Sequence, residues 1–221
     1  MSDVENLPPR TRKPRGQGAS RRGEILAAAS RLFLEEGVAH ATMRRIAAEV
    51  GVSPTALYVY FPDKAAILQA IAEATFESLL ATLEASQQAE STLLAQFRAG
   101  LRAYVAFGRA QPDSYRLTFL QRPREKLPCD EIAAADHSFA ILHRGVEGLI
   151  TAGLFRPVDP VCAAEAIWSS LHGVTTLLID QAAHIESDHD ALVDHVIDTV
   201  VAGHLRPDIE ADHCKLNIVH L

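Results

Sequence analysis

The chain has 221 residues, 48% of them hydrophobic and 22% charged, enough apolar material for a substantial core and unlike a disordered chain. Three widely spaced cysteines (Cys129, Cys162, Cys214) argue against a disulfide framework or a C-x-x-C metal site. No uninterrupted apolar run approaches the roughly 18 residues of a membrane span, and the polar, basic first residues lack a signal-peptide core, so a cytoplasmic protein with no membrane partner is expected.

The net charge of −7 is unevenly distributed. The first 70 residues hold 10 Lys+Arg against 7 Asp+Glu, whereas the remainder holds 11 against 21. Arg10 to Arg22 carries six positive charges and no acid. A basic end on an acidic body directs that end toward a polyanion.

Residues 1–20, rich in Pro, Gly, Ser and Arg, read as a flexible basic arm. A helical period then places Ile25, Ala29, Leu32 and Phe33 on one face, and Gly37 stops the helix. Thr42 is the N-cap expected for a second helix carrying Ile46, Ala47 and Val50, closed by Gly51. Ser53 caps a third, with Pro54 in its first position, where a missing N–H costs little. Pro62 breaks that helix after Phe61. Asp63 caps a fourth helix to about Ser86, striped with Ile67, Leu68, Ile71, Phe76, Leu79, Leu80 and Leu83.

Further helical periods cover Thr92–Gln111, about Ser114–Gln121, Asp130–Ala152, Pro160–Asp180 and Asp188–His204, with a loop at Arg122–Pro128. No strand alternation appears. The fold class is therefore all-α: a three-helix helix-turn-helix domain over residues 21–66, a second helical domain over 67–206, and a tail over 207–221.

Residues 42–61 read TMRRIAAEVGVSPTALYVYF. Two short helices around a glycine turn form a helix-turn-helix pattern. On the second of these helices Ala56, Leu57, Tyr60 and Phe61 share one side, and Thr55, Tyr58 and Val59 the other. The latter set is available to a major groove, which admits one helix. Thr42 and Lys64 each begin a helix, where a hydroxyl or ammonium joins unpaired backbone N–H groups at a phosphate.

The run from Thr42 through Lys64 to Leu68, with its L-Y-x-Y-F signature and following Lys in register, resembles the DNA-binding domain of the TetR family of regulators over about residues 22–70. The resemblance implies phosphate contacts at Thr42, Tyr58 and Lys64. It implies that Arg44, Thr55, Val59 and Tyr60 read or border bases, with Ser53 and Arg45 beside them. Arg45 departs from the family pattern, which often has an acid there, and Val59 stands where a polar or aromatic residue is usual. Double-stranded palindromic operator DNA is the expected partner. The expected activity is repression, relieved by a small, largely apolar effector.

In the later half, residues 166–174 (AIWSSLHGV) resemble the W-x-x-x-H-G signature of one TetR subgroup. The resemblance implies that residues 67–206 form an effector-binding and dimerisation domain, with Phe97, Tyr104, Phe107, Tyr115, Phe119, Phe139, His143, Trp168 and His172 as candidate pocket residues, since small-molecule sites are apolar with a few polar groups. The amphipathic last two long helices suit a homodimer formed through a four-helix bundle, which a helix-turn-helix needs to span two half-sites. Asp188, His189, Asp190, Asp194, His195 and Asp198 form a ligand-rich segment, but their helical phases differ and no His-x-x-Glu-His spacing occurs, so a charged face is expected and no metal. No Gly-x-Ser-x-Gly and no cofactor motif is present. A non-enzymatic protein without cofactor is expected.

Overall fold

A computed structural model describes residues 18–120 and 133–208. Most of the basic arm, the Arg122–Pro128 loop, Cys129, Cys214 and the tail beyond 208 lie outside the described residues. Within them the chain forms nine α-helices and no strand, with a single antiparallel bridge between Phe155 and Leu205. It divides into two compact units, one ending at Ile67 and the other beginning at Leu68.

The first unit contains α1 (Gly18–Glu36), α2 (Met43–Val50) and α3 (Pro54–Tyr60). Helix α1 starts within the expected arm, where Ser20 and Arg21 both reach Glu24 a turn later, side-chain pairings that support a first turn. Gly37 (φ 82°) and Gly51 (φ 73°) take left-handed backbone conformations that a Cβ disfavours. At Gly51 the N–H groups of residues 51 and 52 fold back onto Ala48 and Ala47 carbonyls, satisfying the end of α2 and turning the chain into α3. Ile25, Leu32, Phe33, Ile46, Ala47, Leu57 and Phe61 are buried together in this small core. Two ion pairs clamp α1 to α2: Arg31–Glu49 and Arg45–Glu36, each at 3.2 Å.

Helix α4 (Lys64–Gln88) begins in the first unit and continues into the second. Among the described residues it is the one helix long and apolar enough to cross a membrane, with mean hydropathy 1.3, but half of that stretch is buried within the protein. Phe76, Leu79 and Leu83 belong to the core of the second unit, so its apolarity has a packing role here.

The second unit is completed by α5 (Leu93–Ala110), α6 (Pro112–Tyr115), a π-turn (Arg116–Leu120), α7 (Ala133–Thr151), α8 (Pro160–Asp180), a 3-10 turn (Ala182–His184) and α9 (His189–Ala202). Thr92 and Asp159 cap α5 and α8 through their side chains. The expected short helix after Pro112 is instead one α-turn followed by a π-turn. Helices α5 and α8 pack along one another, closely enough at Gly108 that a Cβ there would collide with the Thr175 methyl. Helix α9 is tied to α5 by three ion pairs, Arg98–Asp198, Arg102–Asp194 (2.6 Å) and Arg109–Asp190. Three aspartates of the ligand-rich segment thus face arginines, and the fourth, Asp188, caps α9.

Candidate DNA-binding surface and ligand cavity

The helical phase of α3 separates its side chains sharply. Leu57 and Phe61 are fully buried, whereas Tyr58 is 51% and Val59 82% exposed. Thr55 is exposed on the same helix. Tyr60, placed by its phase with the packing residues, is 37% exposed and borders the open face. A helix that exposes a valine and a tyrosine spends apolar surface on water with no return to the fold.

Thr42 and Ser53 are both exposed and both cap: the Arg45 N–H donates to Thr42 Oγ1, and the Ala56 N–H to Ser53 Oγ, each at 3.2 Å. Two helix N-termini thus present backbone N–H groups of the kind that bind phosphate. Arg44 is exposed. Arg45 is exposed too, but its guanidinium is held by Glu36, which supplies a structural role for the residue that departs from the family pattern. Lys64 differs most from expectation. Its ammonium donates to the carbonyls of Val38, Ala39 (3.3 Å) and Ala41 (3.2 Å). An ammonium has three donors, and all three are taken by the turn that delivers Thr42.

In the second unit, a cavity of about 330 Å³ lies between α4, α5, the π-turn, α7 and α8. Its volume is at the small end of the usual range for ligand sites. Of the candidate pocket residues, Phe97, Tyr104, Phe119, Phe139, Trp168 and His172 line it. Three candidates do not. Phe107 is buried one turn beyond Tyr104, where α5 closes on α8. His143 turns to Glu147, one helical turn away, at 3.6 Å. Tyr115 is fully buried behind the lining, joined to it by its hydroxyl. Missed by the sequence reading were Phe76, Leu79, Leu83 and Gln87 of α4. The apolar stripe of that helix was visible, but not what it faced.

Trp168, Tyr104 and His172 of the lining join Tyr115 in one polar cluster. Trp168 Nε1–H donates to Tyr104 Oη at 3.2 Å, Tyr104 Oη lies 3.0 Å from Tyr115 Oη, and Tyr115 Oη lies 2.6 Å from His172 Nδ1. The Tyr115 ring also stacks on the imidazole, with centroids 5.6 Å apart. Burial raises both phenols above their ordinary range, keeping them protonated, and lowers His172 below its ordinary 6.5, favouring the neutral ring. Among the described lining residues there is no Asp, Glu, Lys or Arg.

The chain matches "Bacterial regulatory proteins, tetR family" over residues 25–71 and "Tetracyclin repressor-like, C-terminal domain" over residues 97–200. A Rhodococcus RHA1 bacterial regulatory protein of the tetR family superposes with a TM-score of 0.68 at 26% identity, covering 82% of this chain and 95% of that one. Nucleoid occlusion factor SlmA of Haemophilus influenzae is 31% identical over 121 residues, 53% of this chain and 56% of SlmA. The transcriptional activator FasR of Mycolicibacterium smegmatis is 29% identical over 129 residues, 54% of this chain and 59% of FasR. These matches span little more than half the length of either curated relative.

An exposed helix on a three-helix unit, joined to a second unit whose described elements are helical, fits a DNA-binding regulator of the helix-turn-helix class. The two family matches together take in more than half of the sequence. The chain belongs to the TetR family.

Proposed function

We propose that this protein is a non-enzymatic, cytoplasmic, ligand-responsive repressor that binds a palindromic operator as a homodimer and is released by a small, largely apolar effector. The observation that carries the reading is the exposure of Thr55, Tyr58 and Val59 on α3 beside the buried Leu57 and Phe61. In that role Thr55, Val59 and Tyr60 meet base edges in the major groove, with Arg44 reaching from α2. Thr42, Ser53 and Tyr58 fix the phosphates. Lys64 acts at one remove, by holding the turn before Thr42, and Arg45 by clamping α2 to α1.

Helix α8 supports the dimer. Cys162, Ala166, Ser169, Gly173 and Leu177 are exposed at helical spacing, a mostly small-residue face on which a second copy's helices pack closely. The exposed Val161 and Leu177 (44% and 42%) gain cover there. The cavity in the second unit is the effector site. An effector shifts the protein toward a state with mismatched recognition-helix spacing only by binding that state more tightly. FasR is an activator, so the sign of regulation is itself a point of test.

Transcription from the chain's own upstream DNA, measured in vitro with and without the protein, tests the reading. Repression is expected. Stimulation would make the protein an activator, and no effect together with no footprint would remove the operator assignment.

A further inference from the structure

A second cleft adjoins the cavity. It lies between α4, the start of α5 and α7, has a volume of about 330 Å³, and carries Glu84, Gln96, His137 and Arg144 in its lining. Gln87, Phe97 and Ile141 face both spaces, so these three side chains form the wall between them. The two sides differ in chemistry. The described lining of the inner cavity has no Asp, Glu, Lys or Arg, whereas the outer cleft has an exposed carboxylate and an exposed guanidinium.

Two glycines in helix interiors seat this wall. A Cβ on Gly100 of α5 would lie 2.9 Å from Gln87 Nε2, and a Cβ on Gly145 of α7 would lie 2.8 Å from the Phe97 ring. Neither glycine takes a left-handed conformation, and each weakens its helix relative to alanine. What glycine supplies at both places is room for the wall. Phe97 is fixed: it is buried and meets Phe155 edge to face, with centroids 5.8 Å apart. Gln87 is not fixed. It is half-buried in the last turn of α4, and its side-chain amide has no hydrogen-bond partner among the described residues. Rotation of that side chain breaks no hydrogen bond among them.

We infer that Gln87 is a movable partition in the effector site, and that the effector is an elongated amphipathic molecule, its apolar chain in the inner cavity and its polar end past Gln87 in the outer cleft. The chain gains by leaving water for the inner cavity. A strongly hydrated end would surrender its water there, and in the cleft it keeps water and meets the polar side chains. The inference rests on the cavity being the effector site.

The protein contains one tryptophan, Trp168, which lines the inner cavity, so its fluorescence reports a chain bound there. The test titrates the full chain with 1-hexanol, short enough for the inner cavity alone, and with octyl glucoside below its micelle concentration, whose sugar needs the cleft. Wild type is compared with Gln87→Ala and with Glu84→Phe, Glu84 being exposed and lining only the outer cleft. Both ligands are expected to saturate wild type. Gln87→Ala is expected to tighten octyl glucoside about threefold or more, because a partition closed in the free protein lowers apparent affinity. Glu84→Phe is expected to weaken it about fivefold or more by filling the cleft. Hexanol is expected to change by less than about twofold in both variants. Octyl glucoside affinity unchanged in either variant, or hexanol changing in parallel with it, overturns the inference and leaves the cavity as a ligand site. Saturation by hexanol alone does the same. Saturable binding by neither ligand overturns both the inference and the effector-site reading. Should Glu84→Phe fail to fold, Arg144→Phe, at another exposed position lining only the cleft, carries the same expectation.

Discussion

Lys64 Nζ lies 3.2 Å from the carbonyl oxygen of Ala41, 23 residues earlier in the chain. The same ammonium reaches the carbonyls of Val38 and Ala39. One side chain at the start of α4 thus gathers the turn between α1 and α2, and the residue after that turn is Thr42.

This arrangement separates two ways in which Lys64 can serve DNA binding. A lysine that contacts phosphate releases a counterion, so its removal lowers the slope of log affinity against log salt by about 1. A lysine spent on carbonyls does not. Lys64→Met is expected to weaken binding while leaving that slope unchanged, and to lower stability by about 1–3 kcal/mol through the unpaired carbonyls. Fluorescence anisotropy on operator DNA across a salt series, with thermal unfolding alongside, checks both.

Val59 is 82% exposed, so the fold gains nothing from its side chain. Val59→Ala is expected to leave unfolding within about 0.5 kcal/mol of wild type yet weaken operator binding. Thr55→Ala is expected to alter which sequence is preferred, and Tyr58→Phe to weaken all sequences alike. A binding selection from randomised DNA distinguishes these outcomes. An unchanged preference for Thr55→Ala would remove its base-reading role.

Gly108 sits where α5 meets Thr175 of α8, with the Tyr115 ring 3.1 Å from the position of a Cβ. Gly108→Ala gains helix propensity but overpacks the contact, which costs about 1–3 kcal/mol. Thermal unfolding of the variant is expected to show a net loss. A gain would mean that α5 and α8 can move apart without cost.

His172 supplies a pH dependence. Burial lowers its pKa in the folded protein below the ordinary 6.5, so the folded state binds this proton less readily than the unfolded chain. The contribution of His172 to stability is therefore complete above about pH 6.5 and is lost as pH falls toward the depressed folded value. Comparing denaturation of wild type and His172→Gln from pH 8 to pH 5 cancels the shared titrations. The wild type is expected to lose more stability over that range, and parallel curves would contradict the buried neutral ring.

Local chemistry was legible in the sequence where it is self-contained. Thr42, Ser53, Gly51 and Pro54 act within four residues of themselves, and the caps and turn they announce are present. The exposed and buried sides of α3 followed from helical phase, except that Tyr60 lies on the border. What depends on pairing between distant helices was not legible. Nothing local tells that Arg45 meets Glu36, or that Asp190, Asp194 and Asp198 meet three arginines of α5. Phe107 and Phe97 are alike in type and both face inward, but only Phe97 lies at the depth where the helices leave space. Gln87 reaches that space from a helix read as a plain apolar stripe. The ring of Tyr115 marks it as a pocket candidate, whereas its hydroxyl is what ties it to His172.

In the proposed role, α3 reads DNA as part of a dimer. The most direct measurement of that role is protection of the chain's own upstream DNA from cleavage, titrated with wild type and with Val59→Asp, which puts a like charge against the phosphates. Wild type is expected to protect two half-sites about one helical turn of DNA apart, or a multiple of it, with Val59→Asp folding normally and protecting neither. Protection of a single unpaired site, or undiminished protection by Val59→Asp, would contradict it.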